Sequence, residues 1–284
     1  MTVKGAVQHG TRYLQARGLE NPRHDAELII ASILDRDRAF LFAHPEFQLS
    51  SSQEKLLNEW LLKRGENYPL QYLRGVQEFY SRNFFVSPAV LIPRPETEML
   101  VEMTLELLKE MSEDPLFVLD VGTGSGCVAV TLACEESRSI LTATDVSMDA
   151  LQIAFLNARK QECLDRIELL IGDALDPLAG RGPYYHLIVS NPPYIKAASR
   201  DVQPSVAKYE PAAALFAGAS GLDVYDKIFQ AAGQLLRSEG KLVLELGFDM
   251  SGPVRELGRG HGWGPLKIRK DLAGIDRCAV FQLV

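Results

Sequence analysis

Asn191-Pro192-Pro193-Tyr194 sets a carboxamide, two rigid prolines and an aromatic ring in consecutive positions. It follows Leu187-Ile188-Val189-Ser190, a short apolar run that reads as a buried strand. Prolines lack an N–H and fix φ, so the strand must end there in a stiff turn. The asparagine then lies at the carboxyl end of a strand, the edge at which ligands collect in open α/β sheets. The task that suits this set is holding a planar, weakly nucleophilic nitrogen against an electrophile. Such a nitrogen has its lone pair delocalised. Acceptors that bind its two N–H groups turn the lone pair outward and stabilise the partial positive charge that grows on nitrogen. The Asn191 side-chain oxygen is one acceptor, and the backbone carbonyl of Pro192 or Pro193 is a second. Tyr194 can pack against the planar group. A proline loop with a polar cap is the purely structural alternative.

Three upstream motifs supply what that site lacks. Val118-Leu119-Asp120-Val121-Gly122-Thr123-Gly124-Ser125-Gly126 is an apolar run leading into a glycine turn that opens a helix. Glycine allows the sharp turn and close approach of a ligand, although a tight turn with no ligand reads the same way. Position 127 is Cys, so the six-residue GxGxxG dinucleotide fingerprint is not met. Asp145, in Thr144-Asp145-Val146-Ser147, ends a second strand. Its carboxylate can accept hydrogen bonds from both hydroxyls of a ribose, or cap the following helix. Asp173 and Ala174, in Ile171-Gly172-Asp173-Ala174, end a third strand. Asp173 can accept from the exocyclic amine of an adenine with Ala174 beside the ring, or can serve as a cap or turn.

The elements that must position these residues follow from periodicity. Residues 1–75 read as a small helical bundle. Val7, Tyr13, Leu14 and Leu19 share one helix face, residues 24–34 form a second helix, and Ser51 or Ser52 caps a third running through Trp60 to Leu62. Residues 76–93 form a linker in which Glu78-Phe79-Tyr80 and Asn83-Phe84-Phe85-Val86 make a hairpin about Ser81-Arg82. From residue 94 helices and strands alternate, which implies a mainly parallel sheet covered on both faces. Strands are expected at 116–121, 140–144, 167–171, 186–190 and 241–246, with two more closing the chain. Helices are expected at 96–111, from Ser125, at 148–160, at 222–236 and near Pro253. Residues 192–221 are long for a simple connection, and such loops are usually functional.

Composition narrows the partners. The net charge is −7 over 284 residues. Residues 1–75 carry ten Lys+Arg and nine Asp+Glu, so the acidity lies in the remainder. That balance argues against a broad grip on nucleic acid, which needs a clustered basic surface. The cysteines at 127, 134, 163 and 278 show neither CxxC spacing nor a Cys/His cluster, so no metal is expected. Reduced thiols fit the cytoplasm. No signal-peptide core and no apolar run of about 18–20 residues is found, so no membrane association is expected.

The four motifs in this order resemble class I S-adenosylmethionine-dependent methyltransferases. Asn-Pro-Pro-Tyr is similar to the signature of those acting on planar amino or amide nitrogens. Pro69 to Gly75, Glu78-Phe79-Tyr80, Leu91-Ile92-Pro93-Arg94-Pro95-Glu96-Thr97-Glu98, Tyr209-Glu210-Pro211 and Gly221-Leu222-Asp223 extend the likeness, over nearly the whole chain, to the HemK-type release factor glutamine methyltransferases. The resemblance implies a seven-stranded, Rossmann-like methyltransferase sheet over 94–284, with residues 1–75 as a substrate-recognition domain. It implies methyl transfer from S-adenosyl-L-methionine, leaving S-adenosyl-L-homocysteine, to the glutamine of the Gly-Gly-Gln motif in peptide chain release factors 1 and 2. By position, Gly122, Thr123, Gly124, Ser125, Gly126, Asp145, Asp173, Ala174 and Asn191 would hold the cofactor. Asn191, Pro192, Pro193 and Tyr194 would hold the glutamine and carry catalysis, with Arg94 and Glu96 lining the substrate site. Arg94, Glu96 and Thr97 also suit a purely structural role at a helix start. Ala174 departs from relatives that carry an aromatic residue there. A monomer is expected.

Other readings remain open from the residues. A related enzyme methylating a glutamine of a ribosomal protein would share Asn-Pro-Pro-Tyr. An adenine-N6 methyltransferase would also share it, but no basic arm or recognition domain is present. A non-catalytic adaptor would have no need of Gly122, Asp145 and Asn191 together.

Overall fold

The computed structural model describes residues 1–199 and 202–284. The chain divides into two compact units, one of Met1–Val76 with Pro204–Tyr209 and the other of Gln77–Gln203 with Glu210–Val284.

The first unit is helical: α1 (Val3–Gln15), α2 (Pro22–Leu34), α3 (Arg38–Ala43), α4 (Ser51–Gly65) and α5 (Leu70–Arg74). Leu14, Ile29, Ile30, Leu57 and Leu61 share its apolar core. Gly10 lets α1 approach α2, since a Cβ there would lie 3.0 Å from Ala26 Cβ. Ser50, rather than Ser51 or Ser52, caps α4. Its hydroxyl accepts from Gln53 N–H, and the Gln53 side chain accepts from Ser50 N–H, which satisfies two otherwise orphaned donors. The short α3 and α5 were too brief to show a period in sequence. In Pro204–Tyr209, the Tyr209 ring sits 5.0 Å from that of Tyr68, and its hydroxyl donates to Glu66 O at 3.1 Å.

A hairpin joins β1 (Val76–Phe79) to β2 (Arg82–Phe85). Its turn is Tyr80-Ser81, one residue earlier than expected, and both have positive φ, 50° and 58°. This is the twist that two-residue hairpins favour. The second unit continues with α6 (Glu98–Glu110), β3 (Leu116–Val121), α7 (Cys127–Glu135), β4 (Ser139–Asp145), α8 (Met148–Lys160), β5 (Ile167–Ile171) and β6 (Tyr185–Ser190). After α9 (Pro204–Tyr209), already described, come α10 (Asp223–Leu235), β7 (Leu236–Glu245), α11 (Ser251–Gly260), β8 (Trp263–Lys270) and β9 (Asp276–Leu283).

The sheet has seven strands in the order β5-β4-β3-β6-β7-β9-β8. β3 to β7 run parallel and β9 pairs antiparallel with both β7 and β8. It is the mainly parallel, seven-stranded architecture expected from the alternation. Alternate residues face two separate cores. Val118, Leu187 and Val189 pack with α6 and α7 on one side, while Leu119, Ile188 and Leu244 pack with α10 and α11 on the other. The order reverses at β3: the chain winds outward through β4 and β5, then returns to β6 on the other flank. A crevice outside the carboxyl ends of β3 and β6 follows from that reversal. Among the described residues no helix is long and apolar enough to cross a membrane.

Left-handed backbone is costly for a non-glycine residue. Ser81→Gly is therefore expected to stabilise the hairpin by about 0.5 kcal/mol in urea unfolding, and a destabilisation would contradict the turn assignment.

Candidate active site

Three strand ends meet at the crevice. In register, Val121 of β3 lies level with Thr144 of β4 and with Ser190 of β6. The Ser190 hydroxyl donates to Val121 O at 2.7 Å, fixing the two ends together. The residues that follow, Gly122, Asp145 and Asn191, therefore leave the sheet side by side.

The glycine turn is held from several directions. Gly122 N and Thr123 N both donate to Thr144 O at 2.9 Å. Buried Asp120 accepts from the Thr123 hydroxyl at 2.7 Å and from Ala129 N at 3.2 Å. Asn157 on α8, fully buried, donates to Ser125 O at 2.8 Å and to Phe85 O at 3.0 Å. Gly122 and Gly124 have φ of +73° and +56°, and a Cβ at either would meet nothing within 4 Å. The turn thus presents bare backbone to open space. At Gly126 the reason for glycine is different: a Cβ would press on Ala154 at 3.1 Å.

Asp145 is anchored rather than free. Its Oδ2 accepts from Gly124 N at 2.8 Å and its Oδ1 from Ser147 N at 2.9 Å. The helix cap itself is Ser147, whose hydroxyl accepts from Ala150 N. Each Asp145 oxygen keeps a second lone pair for a ligand.

Asp173 is half-exposed and paired with Lys227, and Thr144 donates its hydroxyl to Ala174 O at 2.9 Å. Asp173 and Ala174 thus lie beside the end of β4, outside the residues that line the central cleft. That cleft is lined by Gly122 to Ser125, Asp120, Asn191, Arg94 and Thr97. Glu96 does not line it.

Asn191 Nδ2 donates to Thr97 Oγ1 at 3.1 Å. Pro192 is buried, and Pro193 and Tyr194 are half-buried. The Tyr194 ring lies against Gly247, where a Cβ would come within 2.5 Å of it. Burial, followed by the nearby Glu245, pushes the Tyr194 phenol up to about 12. After the tyrosine the chain is held by Ile195, which donates to Leu215 O at 3.0 Å and accepts from Ala217 N at 2.9 Å. Arg94 pairs with buried Glu210 at 2.5 Å, and the same carboxylate accepts from Ile92 N at 3.1 Å. That pairing explains Glu210 in the Tyr209-Glu210-Pro211 stretch: it fixes the segment that delivers Thr97 to Asn191.

Glu245 was not among the residues singled out from sequence. It is 2% exposed at the end of β7, and a carboxylate inside Val243-Leu244-Glu245-Leu246 is the signal that marks it. Burial raises its carboxyl to about 7, against the nearby Thr97 hydroxyl, which lowers it. Burial likewise raises Asp120 to about 6.

Comparison with known proteins bears on this arrangement. Residues 5–75 match the family described as PrmC N-terminal domain, and residues 100–209 match the Methyltransferase small domain. A release factor glutamine methyltransferase of Koribacter versatilis is 42% identical over 281 residues, 99% of this chain and 98% of that protein. One from Coxiella burnetii is 41% identical over 280 residues, 99% of this chain and 98% of its own length. The chain belongs to the release factor glutamine methyltransferase family. Among solved structures, a methyltransferase from Pyrococcus furiosus shares the fold with a TM-score of 0.51 at 17% identity, covering 82% of this chain and 98% of its own. The hMettl16 catalytic domain does so with a TM-score of 0.55 at 17% identity, covering 87% and 93%. Among the described residues no group of three or more His, Cys, Asp or Glu could hold a metal ion.

A carboxyl raised by folding stabilises the fold below its unfolded value, and that contribution is lost as pH climbs through the folded value. For Asp120 the window runs from 3.8 to about 6. Asp120→Asn keeps an acceptor for Thr123 and Ala129 but cannot ionise. Relative to the parent it is expected to gain on the order of 2 kcal/mol in urea unfolding between about pH 4.5 and about pH 7.5. An equal gap at both pH values would contradict the buried-acid assignment.

Proposed function

We propose that this protein transfers a methyl group from S-adenosyl-L-methionine to the side-chain amide nitrogen of the glutamine in the Gly-Gly-Gln motif of peptide chain release factors 1 and 2. The observation that carries the reading is the shared cleft. Asn191 of the Asn-Pro-Pro-Tyr turn and the open glycine turn line the same narrow space, in a chain matched end to end by release factor glutamine methyltransferases.

The residues present fit the cofactor. Gly122 and Gly124 leave room where side chains would block a ligand. Asp145, fixed by two backbone donors, has lone pairs available for the two ribose hydroxyls. Asp173 and Ala174, at the end of β5, would lie on the adenine side. Bound there, S-adenosyl-L-methionine supplies an electrophilic methyl group on a sulfonium. Asn191 Oδ1 accepts one N–H of the glutamine amide, and the carbonyl of Pro192 or Pro193 accepts the other. The nitrogen lone pair then points into the cleft and the charge that grows on nitrogen is stabilised. Tyr194, held against Gly247, packs beside the amide plane. As the new N–C bond forms, the methyl–sulfur bond would break to leave S-adenosyl-L-homocysteine, and the amide nitrogen sheds one proton to solvent, so no strong base is required. Arg94, paired with Glu210, borders the substrate side. The helical unit is proposed to contact the protein substrate.

Incubation with both release factors and the cofactor is expected to add one methyl to the Gly-Gly-Gln peptide in mass spectrometry, and an unmodified peptide would refute the reading. Asn191→Ala is expected to lower turnover by about a hundredfold or more with cofactor affinity within a few-fold. Equal loss of both in a folded variant would show the role misassigned. Asp145→Ala is expected to raise the cofactor Kd by about tenfold or more, and an unchanged Kd would remove the ribose assignment.

A further inference from the structure

Asn157 is the polar residue of the buried face of α8. Ala150, Leu151, Ala154 and Ala158 make up the rest of that face, and an alanine at 157 would suit the helix better. The side chain is fully buried and every arm of it is used. Its Oδ1 accepts from Phe85 N–H at 2.6 Å, and its Nδ2 donates to Phe85 O at 3.0 Å and to Ser125 O at 2.8 Å. A carboxamide nitrogen has two protons, and both are taken. The direction of the amide is fixed as well, because Phe85 N–H can only donate and the two carbonyls can only accept.

Two separate pieces of backbone meet on this one group. The first is the end of β2. A two-stranded hairpin is marginal by itself, and Asn157 gives Phe85 the two-bond pairing that a neighbouring antiparallel strand would give. The residues that close α8 grip the same strand: Lys160 Nζ and Gln161 Nε2 both donate to Asn83 O, at 3.0 and 3.3 Å. The second piece is Ser125 of the glycine turn. Ser125 is 2% exposed and lines the cleft, yet its hydroxyl is buried with no hydrogen-bond partner. Buried hydroxyls are nearly always satisfied, so an unpaired one in a cleft wall points to a polar group on a ligand. Pinning the Ser125 carbonyl to α8 fixes the backbone from which that hydroxyl projects.

We propose that Asn157 is a positioning residue for the methyl-donor site, clamping Ser125 to the docked hairpin so that the Ser125 hydroxyl meets the cofactor. The inference rests on the reading in which the glycine turn holds S-adenosyl-L-methionine. It adds a residue outside the cleft to that site and makes the hairpin part of it. Docking of β2 on α8 and binding of cofactor at the turn then favour each other, because such a link is reciprocal.

The test uses the full chain. Asn157→Ala, which leaves room for water beside Phe85 and Ser125, is expected to raise the cofactor Kd by about tenfold, with kcat at saturating cofactor within about threefold of the parent. Ser125→Ala is expected to raise the Kd by about fivefold or more. The double variant should bind within about twofold of the weaker single variant, since the two residues act through one contact. Independent structural roles would multiply the two effects. A Kd within about twofold of the parent in either folded single variant, or effects that multiply in the double variant, would overturn the clamp. A second readout follows the hairpin. In phenylalanine-labelled protein the Phe85 amide resonance, identified by its loss in Phe85→Tyr, should shift as S-adenosyl-L-methionine is added and stay fixed in Asn157→Ala. A resonance that stays fixed in the parent excludes the coupling, and this measurement decides the matter if Asn157→Ala does not fold. If the parent binds no S-adenosyl-L-methionine, it is the cofactor reading that fails. The clamp is then decided in the cofactor-free protein, where Gly124 N–H should exchange with solvent about tenfold faster in Asn157→Ala, and an unchanged rate excludes it.

Discussion

Parallel pairing of β3 with β4 on one flank and β6 on the other is the constraint on which the site depends. It brings Val121, Thr144 and Ser190 level. The glycine turn, Asp145 and Asn191 therefore emerge at one edge although they are far apart in sequence. All three strands are largely buried on both faces. A slip of one residue would exchange the two cores and send every side chain to the wrong side. The Ser190–Val121 hydrogen bond and the two N–H groups that share Thr144 O extend that register past the last ladder pair into the loops.

Three carboxylates cluster along this edge, and burial raises the pKa of each. The donors that answer them differ. Asp120 takes the Thr123 hydroxyl and Ala129 N–H, and so braces the glycine turn from beneath. Asp145 takes Gly124 N–H and Ser147 N–H, and so joins the turn to β4. Glu245 differs from both, since its Oε2 has no hydrogen-bond partner. Two of these acids hold backbone in place. Carrying desolvated acids at one edge is a departure from core rules of the sort that functional sites show.

Legibility from sequence follows the same physics. The strands at 116–121 and 167–171 and the helix at 148–160 coincide with β3, β5 and α8, because short, mainly apolar runs and amphipathic periods bounded by glycine or polar caps leave little ambiguity. The seven-stranded sheet and the proximity of Asn191 to the glycine turn follow from the alternation of strands and helices. α3 and α5, of six and five residues, are too short for a period to develop. The hairpin turn fell one residue early because Tyr80 and Ser81 adopt left-handed backbone that their residue types do not advertise. Thr97 reads as an ordinary helix-start residue until Asn191 is placed beside it. Glu245 gives a local signal, a charge within an apolar strand, but its meaning needs the register of β6 and β7.

Binding of the methyl donor is the point at which the glycine turn, Asp145 and the cleft are tested together. Calorimetric titration of the purified full chain with S-adenosyl-L-methionine should give saturable binding at one site per chain. A chain that is folded and binds no S-adenosyl-L-methionine would contradict the assignment of this edge as a methyltransferase active site.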